Sequence, residues 1–162
     1  MAEIKADNPT SKKTSQATTI PAESPKAIGK TADKAGFIWG LGRRKTSVAR
    51  VRIRPGEGKL LINGKELNTY FAREQDRAAV VAPLKAVGVV KTFDVFVNVR
   101  GGGLTGQAGA ALLGVARALK SYDESFLPVL RDGGYLTRDS RMVERKKPGQ
   151  SGARKRYQFS KR

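Results

Sequence analysis

The plainest pattern in the chain lies at Thr92–Arg100, where Phe93, Val95, Val97 and Val99 alternate with Asp94, Phe96, Asn98 and Arg100. A period of two sends successive side chains to opposite faces, so this stretch predicts a strand with one buried face, placed centrally in a sheet. Phe37–Gly42 and Thr46–Arg54 also read as strands, and in the second Ala49, Val51 and Ile53 alternate with Arg50, Arg52 and Arg54. Pro55–Gly58 is a turn. Lys59–Ile62 and Lys65–Leu67 flank Asn63-Gly64, a pair suited to the type I′ turn that matches strand twist, and so predict a hairpin.

Elsewhere the period lengthens. Ala108, Ala111, Leu112, Val115, Leu119 and Tyr122 form one stripe of a helix over Gln107–Tyr122, with Arg117 and Lys120 turned outward. Asn68–Val87 reads as short helical material, with Pro83 opening a second short helix because proline is well tolerated at a first helical position. Ser121 with Glu124 three residues on has the form of a capping box for a last short helix, which Gly133-Gly134 stops. Together these elements predict an α+β fold, a mixed sheet packed by helices, in one compact domain over residues 37–137. A domain of that size can bury roughly 60–70% of its unfolded surface.

The flanks lack such periodicity. Residues 1–36 hold eight Ser/Thr, three Pro and only isolated apolar residues, which predicts a disordered extension. That segment has no long apolar run, and it contains no Arg but four carboxylates, so it fits neither a secretory signal nor an organelle transit peptide. Residues 138–162 carry ten Lys/Arg against Asp139 and Glu144, with Met142, Val143, Tyr157 and Phe159 as the only sizeable apolar groups. Such a segment buries too little apolar surface to offset its ordering entropy, which predicts an extended basic tail that orders on a polyanion. Pro148, Gly149 and Gly152 argue against a continuous basic helix there.

Charge narrows the class of partner. The chain has 32 Lys+Arg against 14 Asp+Glu, a formal net charge of +18, and the predicted domain shares in the excess. Self-repulsion of this size suits a strongly anionic partner. No run of 18 apolar residues exists, and the broken tail makes no amphipathic surface helix, so nucleic acid is favoured over a membrane. The chain contains neither Cys nor His. That removes disulfides, thiolate nucleophiles, the commonest general base and the commonest metal ligand, so the reading is a non-enzyme without a cofactor or a metal.

Three local motifs bear on binding. Gly42–Ser47 holds Arg43, Arg44 and Lys45 between strand segments, which predicts a phosphate-contacting loop on a rim. Arg50, Arg52 and Arg54 stand about 6.6 Å apart along one strand face, a spacing that suits successive phosphates and equally suits a solvated sheet face. Gly101, Gly103 and Gly106 match the dinucleotide fingerprint and follow a strand into a helix. The acidic pair at the proper distance, Asp123-Glu124, falls between helices rather than at a strand end, so a nucleotide enzyme is disfavoured. The glycines serve either a phosphate at the helix N-terminus or a tight turn for close packing.

Several stretches carry a resemblance. GRRKTSVARVRIRPGEGKLLING (42–64), VRGGGLTGQAGAALLGVARAL (99–119), SYDESF (121–126), LRDGGYLTRDSRMVERKKPGQ (130–150) and the terminal QFSKR resemble the bacterial-type small-subunit ribosomal protein nine family, in the family's order and over about residues 37–162. The resemblance implies a structural constituent of the small-subunit head, in the cytoplasm, with small-subunit rRNA and neighbouring head proteins as partners and no homo-oligomer. It implies the fold of ribosomal protein S-five domain two, with a βαβ crossover of unusual hand. It implies rRNA contacts from Arg154, Lys155 and Arg156, to which the basic clusters Arg43, Arg44, Lys45 and Arg145, Lys146, Lys147 are added as rRNA-binding candidates by their charge. It further implies that the tail reaches peptidyl-site tRNA, with Ser160, Lys161 and Arg162 at the anticodon stem-loop.

Overall fold

A computed structural model of the chain describes Asp33 and residues 35–160; the predicted disordered extension lies almost wholly outside the described residues. Its strands are β1 (Ile38–Arg44), β2 (Ser47–Pro55), β3 (Leu60–Ile62), β4 (Lys65–Glu66) and β5 (Phe93–Arg100), and its helices are α1 (Leu67–Tyr70), α2 (Glu74–Val87), α3 (Leu104–Tyr122) and α4 (Leu127–Asp132), with a 3-10 turn at Glu124–Phe126 before α4. The sheet order is β1-β2-β5-β3-β4, so β5 is central as its alternation predicts. β2 runs antiparallel to both β1 and β5, β3 pairs parallel with β5, and β4 runs antiparallel to β3. The fold is α+β, a mixed sheet packed by helices.

Register explains which residues share a face. Ile38 faces Ile53, which faces Val95, and Val51 faces Val97, so the buried alternates of three strands lie in rows beneath α3. The hairpin at Asn63-Gly64 forms as predicted, with φ of 49° and 80° at the two turn residues, as a type I′ turn requires. The Asn63 side chain then extends the parallel pairing: its Oδ1 accepts from the Val99 N–H at 2.9 Å, and its Nδ2 donates to the Val99 carbonyl at 3.1 Å. Tyr70 at the end of α1 donates to Gln107 Oε1 at 2.7 Å, which ties this edge to α3.

Helix α3 lies flat on β1 and β2 because the facing residues are small. A Cβ at Gly40 would collide with the Gly114 carbonyl oxygen, and one at Gly42 with that of Ala110. With α2 packed on its other side, α3 buries more than the predicted stripe: Ala110, Leu113, Gly114, Ala116 and Ala118 are also buried, whereas Leu112 is half-buried and Arg117 and Lys120 face solvent. Phe71, Ile38, Ile53, Ile62, Leu84, Leu119 and Leu130 are fully enclosed. Each side chain of this kind contributes about 1.5–3 kcal/mol when removed from water.

Three expectations need correction. Pro83 does not open a helix; it lies inside α2, buried beside Leu84 and one turn from Val80. Its missing N–H breaks one helical bond, but apolar burial on both sides carries the helix through. Ser121 does not cap the last turn. Asp123 does, accepting from the Ser125 N–H at 2.8 Å, while Ser121 Oγ donates back to the Arg117 carbonyl within α3. Leu67 belongs to α1 rather than to the second arm of the hairpin.

Candidate nucleic-acid interface

The β1–β2 hairpin is tighter than the predicted basic loop, because the strands run through Arg44 and resume at Ser47. Only Lys45 and Thr46 turn, with Lys45 in the left-handed region at φ 51°. Strand alternation therefore separates the two arginines. Arg43 is exposed. Arg44 turns toward α3: its Nη1 donates to the Thr105 carbonyl at 3.4 Å, and its guanidinium meets Asp139 at 3.0 Å. Its stem lies over Gly109, where a Cβ would not fit. Lys45 lines a depression at the tip of the molecule with Thr46, Arg73, Asp76, Gly102 and Thr105.

The glycine motif forms the wall of that depression. Gly101 and Gly102 take φ of 75° and 63°, values that admit glycine cheaply. Ser47 Oγ donates to the Gly101 carbonyl at 3.1 Å, and a Cβ at Gly102 or Gly106 would strike that same hydroxyl. The turn thus closes the β5–α3 junction onto β2, which accounts for its glycines by packing. Asp76 is buried and accepts from Thr105 Oγ1 at 3.4 Å, so a carboxylate stands just behind the helix start. Asp123, the residue a ribose would need, is spent on its cap.

From Arg138 to Ser160 the chain has no helix or strand. Both of its carboxylates are engaged within the protein. Asp139 accepts from the side chain and backbone N–H of Arg141 and from Arg44, which together hold its carboxyl well below the usual range. Glu144 is lowered by Arg154, whose Nε donates to it at 2.8 Å and whose Nη2 makes the second arm of a fork. That pair closes a loop, from which Ser151 Oγ donates to the carbonyl of Lys155, just beyond the closure, at 3.2 Å. Arg145, Lys146, Lys147, Lys155 and Arg156 are exposed around it, as is Arg154 on its outer side. Ser160 is exposed, and Lys161 and Arg162 lie outside the described residues.

A third basic surface covers the sheet face opposite α3. Phe37, Trp39, Leu41 and Arg43 from the first strand region adjoin Arg50, Arg52 and Arg54 of β2 and Phe96, Asn98 and Arg100 of β5, with Trp39 paired to Arg52 and Arg52 to Phe96. The sequence marked the three β2 arginines but not the aromatic rings between them, because Trp39 and Phe37 belong to a neighbouring strand.

A family model described as ribosomal protein S9/S16 matches residues 42–162, three quarters of the chain. The chain belongs to that family. Among its relatives, a small ribosomal subunit protein uS9 of Rhodopirellula baltica is 57% identical over 127 residues, covering 78% of this chain and 93% of the relative. The protein of the same name from Anaeromyxobacter sp. strain K is 54% identical over 122 residues, covering 75% and 94%. Membership of the S9/S16 family makes this a structural ribosomal protein and not an enzyme. The matched region takes in the β1–β2 turn, the glycine loop and the whole basic tail, and it omits residues 1–41.

Proposed function

We propose that the chain is a constituent of the small-subunit head in the bacterial cytoplasm, that it binds small-subunit rRNA beside neighbouring head proteins, and that its C-terminal tail contacts the anticodon stem-loop of peptidyl-site tRNA. The observation that carries the reading is the state of the tail within an S9/S16 family member: both carboxylates are satisfied by internal partners, so the exposed charge from Arg145 to Arg156 is almost wholly cationic. Arg43, Lys45, Arg145, Lys146, Lys147, Arg154, Lys155 and Arg156 meet rRNA phosphates. Arg44 serves the same interface by fixing, through Asp139, the direction in which the tail leaves the domain. Ser160, Lys161 and Arg162 meet the tRNA.

The chemistry suits the task. A chain without helix or strand follows irregular RNA where a rigid face cannot, and contacts to phosphate carry no sequence information. A tRNA site that accepts every tRNA needs that indifference. Removal of Lys161 and Arg162 is expected to weaken peptidyl-site tRNA binding while subunits still assemble with the shortened chain at one copy each. Filter binding of tRNA to reconstituted subunits reads the first, and sedimentation reads the second. Unchanged tRNA affinity would refute the contact; equal retention of the chain by unrelated RNA duplex at high salt would refute the specific site.

A further inference from the structure

The open face of the sheet combines two kinds of group that seldom share a solvated surface. Trp39 is 42% exposed and Leu41 49%, although both lie on regular strand. Between and around them stand five arginines, Arg43, Arg50, Arg52, Arg54 and Arg100. Asp94 is the carboxylate in these rows, and it is already spent on Arg54 and on the Glu57 and Lys59 N–H groups. The helices that pack on the sheet do so from its other side, through the buried alternates.

The arginines lie against rings. Arg50 sits 5.7 Å from the Trp39 ring centroid, and Arg52 lies 5.1 Å from that of Phe37 and 5.2 Å from that of Phe96. Arg52 Nε is buried with no hydrogen-bond partner among the described residues, and the guanidinium lies against the two rings. Flat guanidinium planes and exposed rings are the platforms on which unpaired bases stack, and the charges between them match the phosphates that join the bases. A duplex offers few base faces to such a surface, and an acidic peptide supplies charge without rings to stack.

We propose that this face is a second RNA-binding surface, distinct from the tail, that takes an unpaired stretch of ribosomal RNA by stacking bases on Trp39 and pairing phosphates with Arg50 and Arg100. The inference rests on the ribosomal reading above and adds the class of RNA and the residues that hold it. Trp39 is the chain's single tryptophan, so its emission reports on this face alone.

The full-length protein is titrated with labelled single-stranded RNA of mixed sequence, with the matching duplex and with poly-glutamate, following RNA anisotropy and Trp39 emission together. Single strands are expected to quench Trp39 by about half or more, and duplex far less. Trp39→Leu is expected to weaken single-strand affinity about tenfold, and Arg50→Gln, at an exposed position, to do so without loss of fold by circular dichroism. Binding seen by anisotropy with Trp39 emission unchanged overturns the proposal and leaves the ribosomal reading standing. Equal quenching by poly-glutamate also overturns it, in favour of an acidic protein partner. Failure of both the single strand and the duplex to raise the anisotropy would instead bring down the reading on which it rests.

Discussion

Asp94 shows how one side chain reconciles the polar rim of a strand with burial. Alternation puts it on the outer face of β5, yet the turn after β2 folds over it and leaves it 5% exposed. Burial pushes its carboxyl up, but the Lys59 and Glu57 N–H groups at 3.0 Å each, and then Arg54, outweigh that, and the group ends below its ordinary value. An unfolded Asp titrates near about 3.9. A depressed carboxylate contributes stability that is fully present above that pH and is lost as pH falls from there through the folded value. Asp94→Asn is therefore expected to cost about 1–3 kcal/mol at pH 7, through weakened acceptance from two backbone amides at a buried carboxylate. Urea denaturation should show the gap between parent and variant narrowing below about pH 4. A gap of the same size at pH 7 and at acid pH would contradict this account.

At the scale of elements, the contact of α3 with β1 depends on missing side chains. Gly42→Ala would press a methyl into the Ala110 carbonyl, backbone against backbone, with no flexible group to yield. The expected cost is about 3 kcal/mol, or roughly 15 °C in Tm for a domain of this size. Gly64→Ala is the control: its φ is 80° but its surroundings are open, so only the left-handed conformation is penalised, at about 1–2 kcal/mol. Thermal melts that rank the two the other way would show that helix and strand can part freely.

The same elements mark what the sequence made legible. The period-two runs of β2 and β5 and the Asn-Gly turn were readable because each signal is local and strong. Pro83 inside α2, the wide burial of α3 and the cap by Asp123 were not, since each depends on what packs from elsewhere. The basic cluster at 43–45 was visible as charge, but strand alternation, which extended two pairs further than expected, sent Arg43 and Arg44 to opposite sides. The tail's cations were plain from composition; that Asp139 and Glu144 are both taken internally was not. Trp39 and Phe37 joined the arginine face only once β1 was paired beside β2.

For the whole molecule, charge separates into a domain face and a tail, and both bear on how binding answers to salt. If the tail closes on about six to eight phosphates, the logarithm of affinity should fall with the logarithm of salt at a slope of about −4 to −7. Replacing Lys155 and Arg156 with Gln should make that slope shallower by about 1.5, without altering the fold, since both side chains are exposed. A slope near zero in the parent chain would contradict an electrostatic tail. The described residues include no helix long and apolar enough to cross a membrane.

The fork between Glu144 and Arg154 also governs length. The two residues are ten positions apart, a contour of about 33 Å when drawn out, yet the ion pair brings them together. The closed loop is thus slack held in reserve. Were a phosphate to capture Arg154, as the proposed rRNA contact requires, Glu144 would be freed and the chain could be drawn out. Glu144→Gln should leave the slack permanently released, lengthening the mean distance between dyes placed at positions 142 and 157 in free protein. An unchanged distance would mean that the fork does not set the tail's reach.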